Sequence, residues 1–259
     1  MIYRIILALA ALTWGFQPRA EAAALEQLPG ETVLTSLPAP VPAIPSRENA
    51  RPLICVDPGH PNTFNDGFSM VNGTNETRIN WQVAQRLERV LKEKGFDVLM
   101  TRRAETEFVE NKDRARICNN GAILAVHLHC ESTPGTGFAL YYPDRQGIYD
   151  YKKDPENGFK GPSELVRTDS RTLAMVLANG MGGELAGTLK NRGVYGDSRT
   201  AVGSNQGALT FSIFSNIPTV TIEMVVLTNK NDAAFIKGTD GQEKMAAGIA
   251  AGIAAYTSN

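Results

Sequence analysis

From residue 53 onward, short runs rich in apolar and β-branched residues alternate with longer stretches whose apolar residues recur at helical spacing. Leu53-Ile54-Cys55-Val56 is an apolar run closed by Asp57-Pro58-Gly59, the pattern of a buried strand ending in a turn. Between Glu76 and Lys94 the apolar residues Ile79, Val83, Ala84, Leu87, Val90 and Leu91 fall on one helical face, and Gly95 supplies the stop. Asp97 to Met100 predicts a second strand, Glu110 to Asn119 a second helix, and Ala122 to Val126 a third strand running directly into His127-Leu128-His129. Phe138 to Tyr142 and Thr219 to Met224 are further strands. Ser170 to Leu189 predicts a long helix weakened by Gly180, Gly182 and Gly183, and Gly238 to Tyr256 an Ala-rich closing helix. The alternation predicts an α/β fold: a single domain built on a mostly parallel twisted sheet with helices on both faces. Ligands of such sheets sit beyond the carboxyl ends of the strands.

What precedes residue 53 reads differently. Arg4 is followed by the apolar run Ile5 to Trp14 and then by the small-residue stretch Ala20-Glu21-Ala22, the layout of a secretory signal peptide over residues 1–22. The run is half of the roughly 20 residues that a membrane span needs, so no stable span is expected once the signal is cleaved. Residues 23–50 carry Pro29, Pro38, Pro40, Pro42 and Pro45 without strand or helix periodicity, which predicts a semi-extended linker. Residues 51–259 form the expected catalytic domain. Export follows, to the periplasm, the cell wall or the extracellular medium. A net charge of -1 excludes an electrostatic binder of nucleic acid.

All three His of the chain fall near the expected strand ends. His60 lies just past the Asp57 turn, His127 ends the third strand, and Glu223 ends the Thr219 run. Glu76 opens the helix that follows His60, from where a carboxylate reaches the same rim. Two imidazoles and a carboxylate suit a catalytic zinc with an open position for water. His60, Glu76 and His127 are therefore the candidate Zn2+ ligands, and Glu223 is the candidate acid–base residue for metal-assisted amide hydrolysis. Each residue alone has a plainer reading: a strand-end His in a structural hydrogen bond, a Glu complementing a helix N-terminus, a buried Glu paired with Arg. Asp57 braces the turn or orients a ligating His.

Several motifs in order carry a resemblance: Val56-Asp57-Pro58-Gly59-His60, Glu76-x-x-x-Asn80, Thr101-Arg102, Arg114-x-x-Ile117-Cys118-Asn119, Val126-His127, Asn191-Arg192-Gly193-Val194 and Pro218-x-Val220-x-x-Glu223. Over residues 53 to about 236 the chain resembles the zinc-dependent N-acetylmuramoyl-L-alanine amidases of the amidase_3 type. The resemblance implies zinc on the matching His, Glu and His, and a catalytic base at Glu223. It also implies peptidoglycan as substrate, cut at the amide between N-acetylmuramic acid and L-Ala, with an activator protein as a possible partner. His129, Asn80 and Arg114 are the candidate substrate contacts; His129 shares a strand face with His127.

The chain departs from the family pattern at Pro61-Asn62, where Gly-Gly is usual, at Leu128-His129, where a small residue and Asn are usual, and at Val225, where Gly is common. Two other readings stay open: a non-catalytic wall-binding or regulatory module, and a zinc peptidase or deacetylase of the cell envelope. Asp144 to Asp169, rich in Gly and Pro, is expected to be a long irregular loop that could border the groove. Cys55 and Cys118 read as buried apolar residues and Cys130 as a residue outside the ligand set.

Overall fold

The computed structural model describes residues 50–149 and 158–258. The expected signal peptide and all but the last residue of the expected linker lie outside the described residues. The sheet has six strands: β1 (Leu53–Pro58), β2 (Asp97–Met100), β3 (Leu124–Glu131), β4 (Phe138–Tyr142), β7 (Asn191–Gly196) and β8 (Thr219–Val226). Their order is β2-β1-β3-β8-β4-β7. All neighbours are parallel except β4 and β8, which are antiparallel. A two-stranded hairpin, β5 (Gly147–Ile148) with β6 (Lys160–Gly161), stands apart from this sheet.

The sheet divides the core into unequal halves. Ile54, Val56, Leu124, Val126, Leu128, Val220 and Ile222 face a large apolar cluster shared with α1 (Glu76–Glu93), α3 (Glu164–Glu184) and α7 (Thr239–Thr257). The alternate residues Cys55 and Ala125 face a smaller cluster with Ala115 and Cys118 of α2 (Asn111–Cys118) and Phe211, Ile213 and Phe214 of α5 (Thr210–Phe214). The period-2 alternation of strand side chains thus leaves the second face thinly covered, with room for a cleft. The expected α/β architecture, with helices on both faces, is the observed one.

Local chemistry accounts for the element ends. Asn75 caps α1 by accepting from the Arg78 backbone N–H, and Glu76 sits in the first turn, where a carboxylate complements the helix dipole. The long helix starts earlier than its periodicity implied, at Glu164 behind the Ser163 cap, and ends at Glu184 rather than Leu189. Gly180 serves packing: a Cβ there would meet the Gly252 backbone nitrogen at 2.5 Å, so α3 and α7 approach at backbone distance. β7, α4 (Ala201–Gln206), α5 and α6 (Lys230–Lys237) had no periodic signal. β7 is an edge strand with two glycines and a half-exposed face, so burial imposed no alternation on it.

Cys55 and Cys118 are joined by a disulfide with Cα atoms 5.3 Å apart, which corrects the reading of both as free apolar residues. The sequence pattern registered their burial but not their proximity across 63 positions. Cys130 is free and buried. No helix among the described residues is long and apolar enough to cross a membrane.

Candidate active site

Strand register assembles the site. Asp57 of β1 lies opposite His127 of β3, and His129 lies opposite Glu223 of β8. Partners in parallel strands share a face, as do residues two apart in one strand. Asp57, His127, His129 and Glu223 therefore all project from the thinly covered side. They line a cleft of about 510 Å³ together with His60 and Glu76, Asp57 excepted, and with Val202 and Phe211 from the α4–α5 segment.

The turn after β1 delivers His60 with φ 59, a left-handed conformation that a side-chain-bearing residue keeps only when its surroundings hold it there. Two fully buried arginines do so. Arg114 donates to the carbonyls of Pro58 at 2.7 Å, Pro61 at 3.0 Å and Val109 at 2.8 Å, and to Asp57 Oδ1 at 2.8 Å. Arg102 donates to the Pro58 carbonyl at 2.9 Å. Burial and the charge of Arg114 pull the Arg102 pKa down to about 10, which still leaves it charged at neutral pH. Arg114 was expected as a substrate contact; with no exposed surface it is instead the anchor of the His60 turn. Asn80 is corrected in the same way: it is fully buried and donates to the Gly59 carbonyl at 3.2 Å.

His60, Glu76 and His129 each present a ligand atom within 4.8 Å of the others. His127, expected as the second imidazole ligand, is not part of that group; His129, expected as a substrate contact, stands in its place. The physical reason is the register, which spends the Nδ1 of His127 on Asp57. His60 Nδ1 donates to the Asn65 carbonyl at 2.8 Å, so its Nε2, 3.3 Å from Glu76 Oε2, carries a lone pair when the ring is neutral. Glu76 Oε1 accepts from the Cys130 backbone N–H at 3.0 Å and stands 2.8 Å from His129 Nδ1. Electron-rich atoms converge here, and only a proton or a cation makes such contacts favourable.

The electrostatics agree. Burial opposes it, yet the close His129 and His60 rings hold the Glu76 carboxyl well below the usual range. Burial and the neighbouring His127 ring push His129 down to about 4, so the ring is neutral, as metal ligation requires. For His60 burial is outweighed by Glu76, which carries its pKa upward. Across the cleft, Glu223 Oε2 is buried with no hydrogen-bond partner. Burial, then Glu76 and Glu131, drives its carboxyl well above the ordinary value. Two carboxyl groups lining one cleft, with the Oε2 of Glu223 unpartnered, fit a bound cation, and the His/Glu/His donor set suits zinc. Cys130, its thiol pushed up by burial and donating to Asn80 Oδ1 at 3.6 Å, stays outside the set.

Sequence reasoning missed part of the cleft. Arg192 of β7 ion-pairs with Glu131, which lines it. Phe211 stacks on His127 with centroids 4.6 Å apart. Arg192 lay in a quoted motif, but Phe211 sits in a short apolar stretch with no period to flag it. The described part of residues 144–169 is not among the cleft lining; its hairpin packs on α5, with Phe159 stacked on Phe214 at 4.5 Å.

Known proteins resemble this chain in sequence and fold. AmiA of Salmonella typhimurium, an N-acetylmuramoyl-L-alanine amidase, is 25% identical over 234 residues, covering 81% of this chain and 78% of AmiA. Among solved structures, the amidase AmiC2 of Nostoc punctiforme superposes with a TM-score of 0.61 at 23% identity, covering 80% of this chain and 98% of that one. The CwlD amidase of Clostridioides difficile, in complex with the GerS lipoprotein, gives 0.62 at 22% identity, covering 80% and 99%. At these identities the structures speak for the fold. The family comparison speaks for more: residues 54–255, nearly the whole described domain, match Amidase_3, N-acetylmuramoyl-L-alanine amidase, and the chain belongs to that family.

Proposed function

We propose that this protein is an exported, zinc-dependent N-acetylmuramoyl-L-alanine amidase that hydrolyses the amide between N-acetylmuramic acid and L-Ala of peptidoglycan. The observation that carries the metal and base assignments is one cleft in which His60, Glu76 and His129 converge within 4.8 Å while Glu223, which lines the same cleft, keeps a buried Oε2 without a hydrogen-bond partner. His60, Glu76 and His129 would hold the ion. A zinc ion bound there supplies Lewis acidity toward a carbonyl and toward water. Glu223, opposite His129 in the sheet, takes a proton from the attacking water and returns it to the leaving L-Ala amine. Its raised affinity for a proton, caused first by burial, suits a group that must take one from water and hold it until the amine departs. The anchored His60 turn keeps the ligands in place through the cycle.

Export by an N-terminal signal of residues 1–22 is supported by the Cys55–Cys118 disulfide, because such bonds persist in oxidising compartments. A protein partner is supported by the CwlD–GerS complex, an amidase of this fold bound to a lipoprotein.

Digestion of purified sacculi tests the proposal. New L-Ala amino termini on intact glycan strands are expected, with one zinc per chain in the purified protein. New reducing ends would point to a glycosidase, released acetate to a deacetylase, and no product to a binding module. Glu223→Gln should sharply lower product formation while keeping the zinc; a variant of wild-type activity would remove Glu223 from its role.

A further inference from the structure

His127 lies beside the proposed metal cluster rather than in it, and its contacts form an unbroken chain. Arg114 Nη1 donates to Asp57 Oδ1 at 2.8 Å, and Thr101 donates to the same oxygen. Asp57 Oδ2 meets His127 Nδ1, and His127 Nε2 lies 2.7 Å from His129 Nε2. His129 Nδ1, on the far side of that ring, faces Glu76 at 2.8 Å. Phe211 stacks within 14° of the His127 ring plane and fixes its rotation.

Hydrogen-bond chemistry allows one arrangement of protons along this chain when both rings are neutral. Asp57, ion-paired to a buried arginine, is a carboxylate and can only accept, so His127 Nδ1 carries the hydrogen. A neutral His127 then has a lone pair at Nε2. A 2.7 Å contact between two ring nitrogens needs one hydrogen between them, and it must come from His129 Nε2. His129 is left with its lone pair at Nδ1, pointing into the space it shares with Glu76 and His60. That is the tautomer a metal ligand needs.

We propose that His127 is a positioning residue. Backed by Asp57 and Arg114, it accepts the Nε2 hydrogen of His129 and so locks His129 as an Nδ1 metal ligand. This inference rests on the zinc reading above, and its test separates the two. Zinc affinity is measured by chelator competition on wild-type protein, His127→Ala and His127→Gln, with thermal melts alongside. His127→Ala should bind zinc 10- to 100-fold more weakly, in the range typical for losing such a partner. His127→Gln, whose side-chain carbonyl can accept the same hydrogen, should recover most of the loss. A merely structural role would instead make zinc affinity follow the melting temperature in both variants. Long-range nitrogen-15 correlation spectra of the zinc-loaded protein should show the Nε2–H tautomer for His129 and Nδ1–H for His127. Equal zinc affinity in wild type and His127→Ala, or a His129 protonated at Nδ1, overturns the relay alone. A wild type that takes up no zinc overturns the metal reading and the relay with it.

Discussion

Reduction of the Cys55–Cys118 disulfide should destabilise the fold and loosen the catalytic rim together. The bond spans 63 positions, and removing a cross-link of that length frees the unfolded chain by about 4 kcal/mol at 25 °C on the chain-entropy account. For a domain of roughly 200 residues this corresponds to a fall in melting temperature of roughly 10 °C. The location adds to the effect. Cys55 precedes Asp57 on β1, and Cys118 ends the helix that carries Arg114, so the disulfide clamps the two elements whose side chains meet at 2.8 Å to anchor the His60 turn. Both half-cystines are fully buried, so reduction requires denaturation first or a strong reductant. Thermal unfolding followed by circular dichroism would compare oxidised protein, reduced protein and a Cys55→Ala/Cys118→Ala variant. A thiol titration of the unfolded, unreduced chain should find one group, Cys130, and three after reduction. Three thiols without reductant, or an unchanged melting temperature in the double variant, would refute the reasoning.

Three further expectations can be checked with simple variants. Glu223→Gln should lower turnover by about 10²- to 10⁴-fold, the usual contribution of a positioned acid–base group, with zinc content unchanged by atomic absorption. Gly59→Ala should weaken zinc binding, because the new Cβ would lie 2.4 Å from His129 Nε2 and 2.7 Å from the Leu128 carbonyl oxygen, forcing the ring out of place; a variant with wild-type affinity by chelator competition would show that the ring can yield. Asp197 is fully buried, and burial lifts its pKa from 3.8 to about 7. The folded state therefore holds this proton more tightly than the unfolded chain. Its contribution is complete below about pH 4 and is lost as pH rises to about 7, on the order of 4 kcal/mol at most. Denaturant midpoints should accordingly fall from pH 5 to pH 8, and Asp197→Asn should flatten that slope.

The sequence by itself determined the types of the clearest elements, because a strand buried on both faces reads as a short continuous apolar run and a half-buried helix repeats its apolar residues every 3.6 positions. Leu53–Val56, Asp97–Met100 and Phe138–Tyr142 were legible for that reason, as was the helix from Glu76, whose start is written in Asn75-Glu76. The same periodicity placed His60, Glu76 and Glu223 at one rim of a parallel sheet. It could not choose between His127 and His129, since residues two apart share a face and differ only in what lies opposite. The pairing of Asp57 with His127 and of His129 with Glu223 made that choice, and register is a property of the assembled sheet. Asn80 and Arg114 changed role for the same reason: a polar residue on a helix can face a cleft or a buried carbonyl, and only packing decides which. The disulfide too belongs to the tertiary structure, because a spacing of 63 residues says nothing about a separation of 5.3 Å.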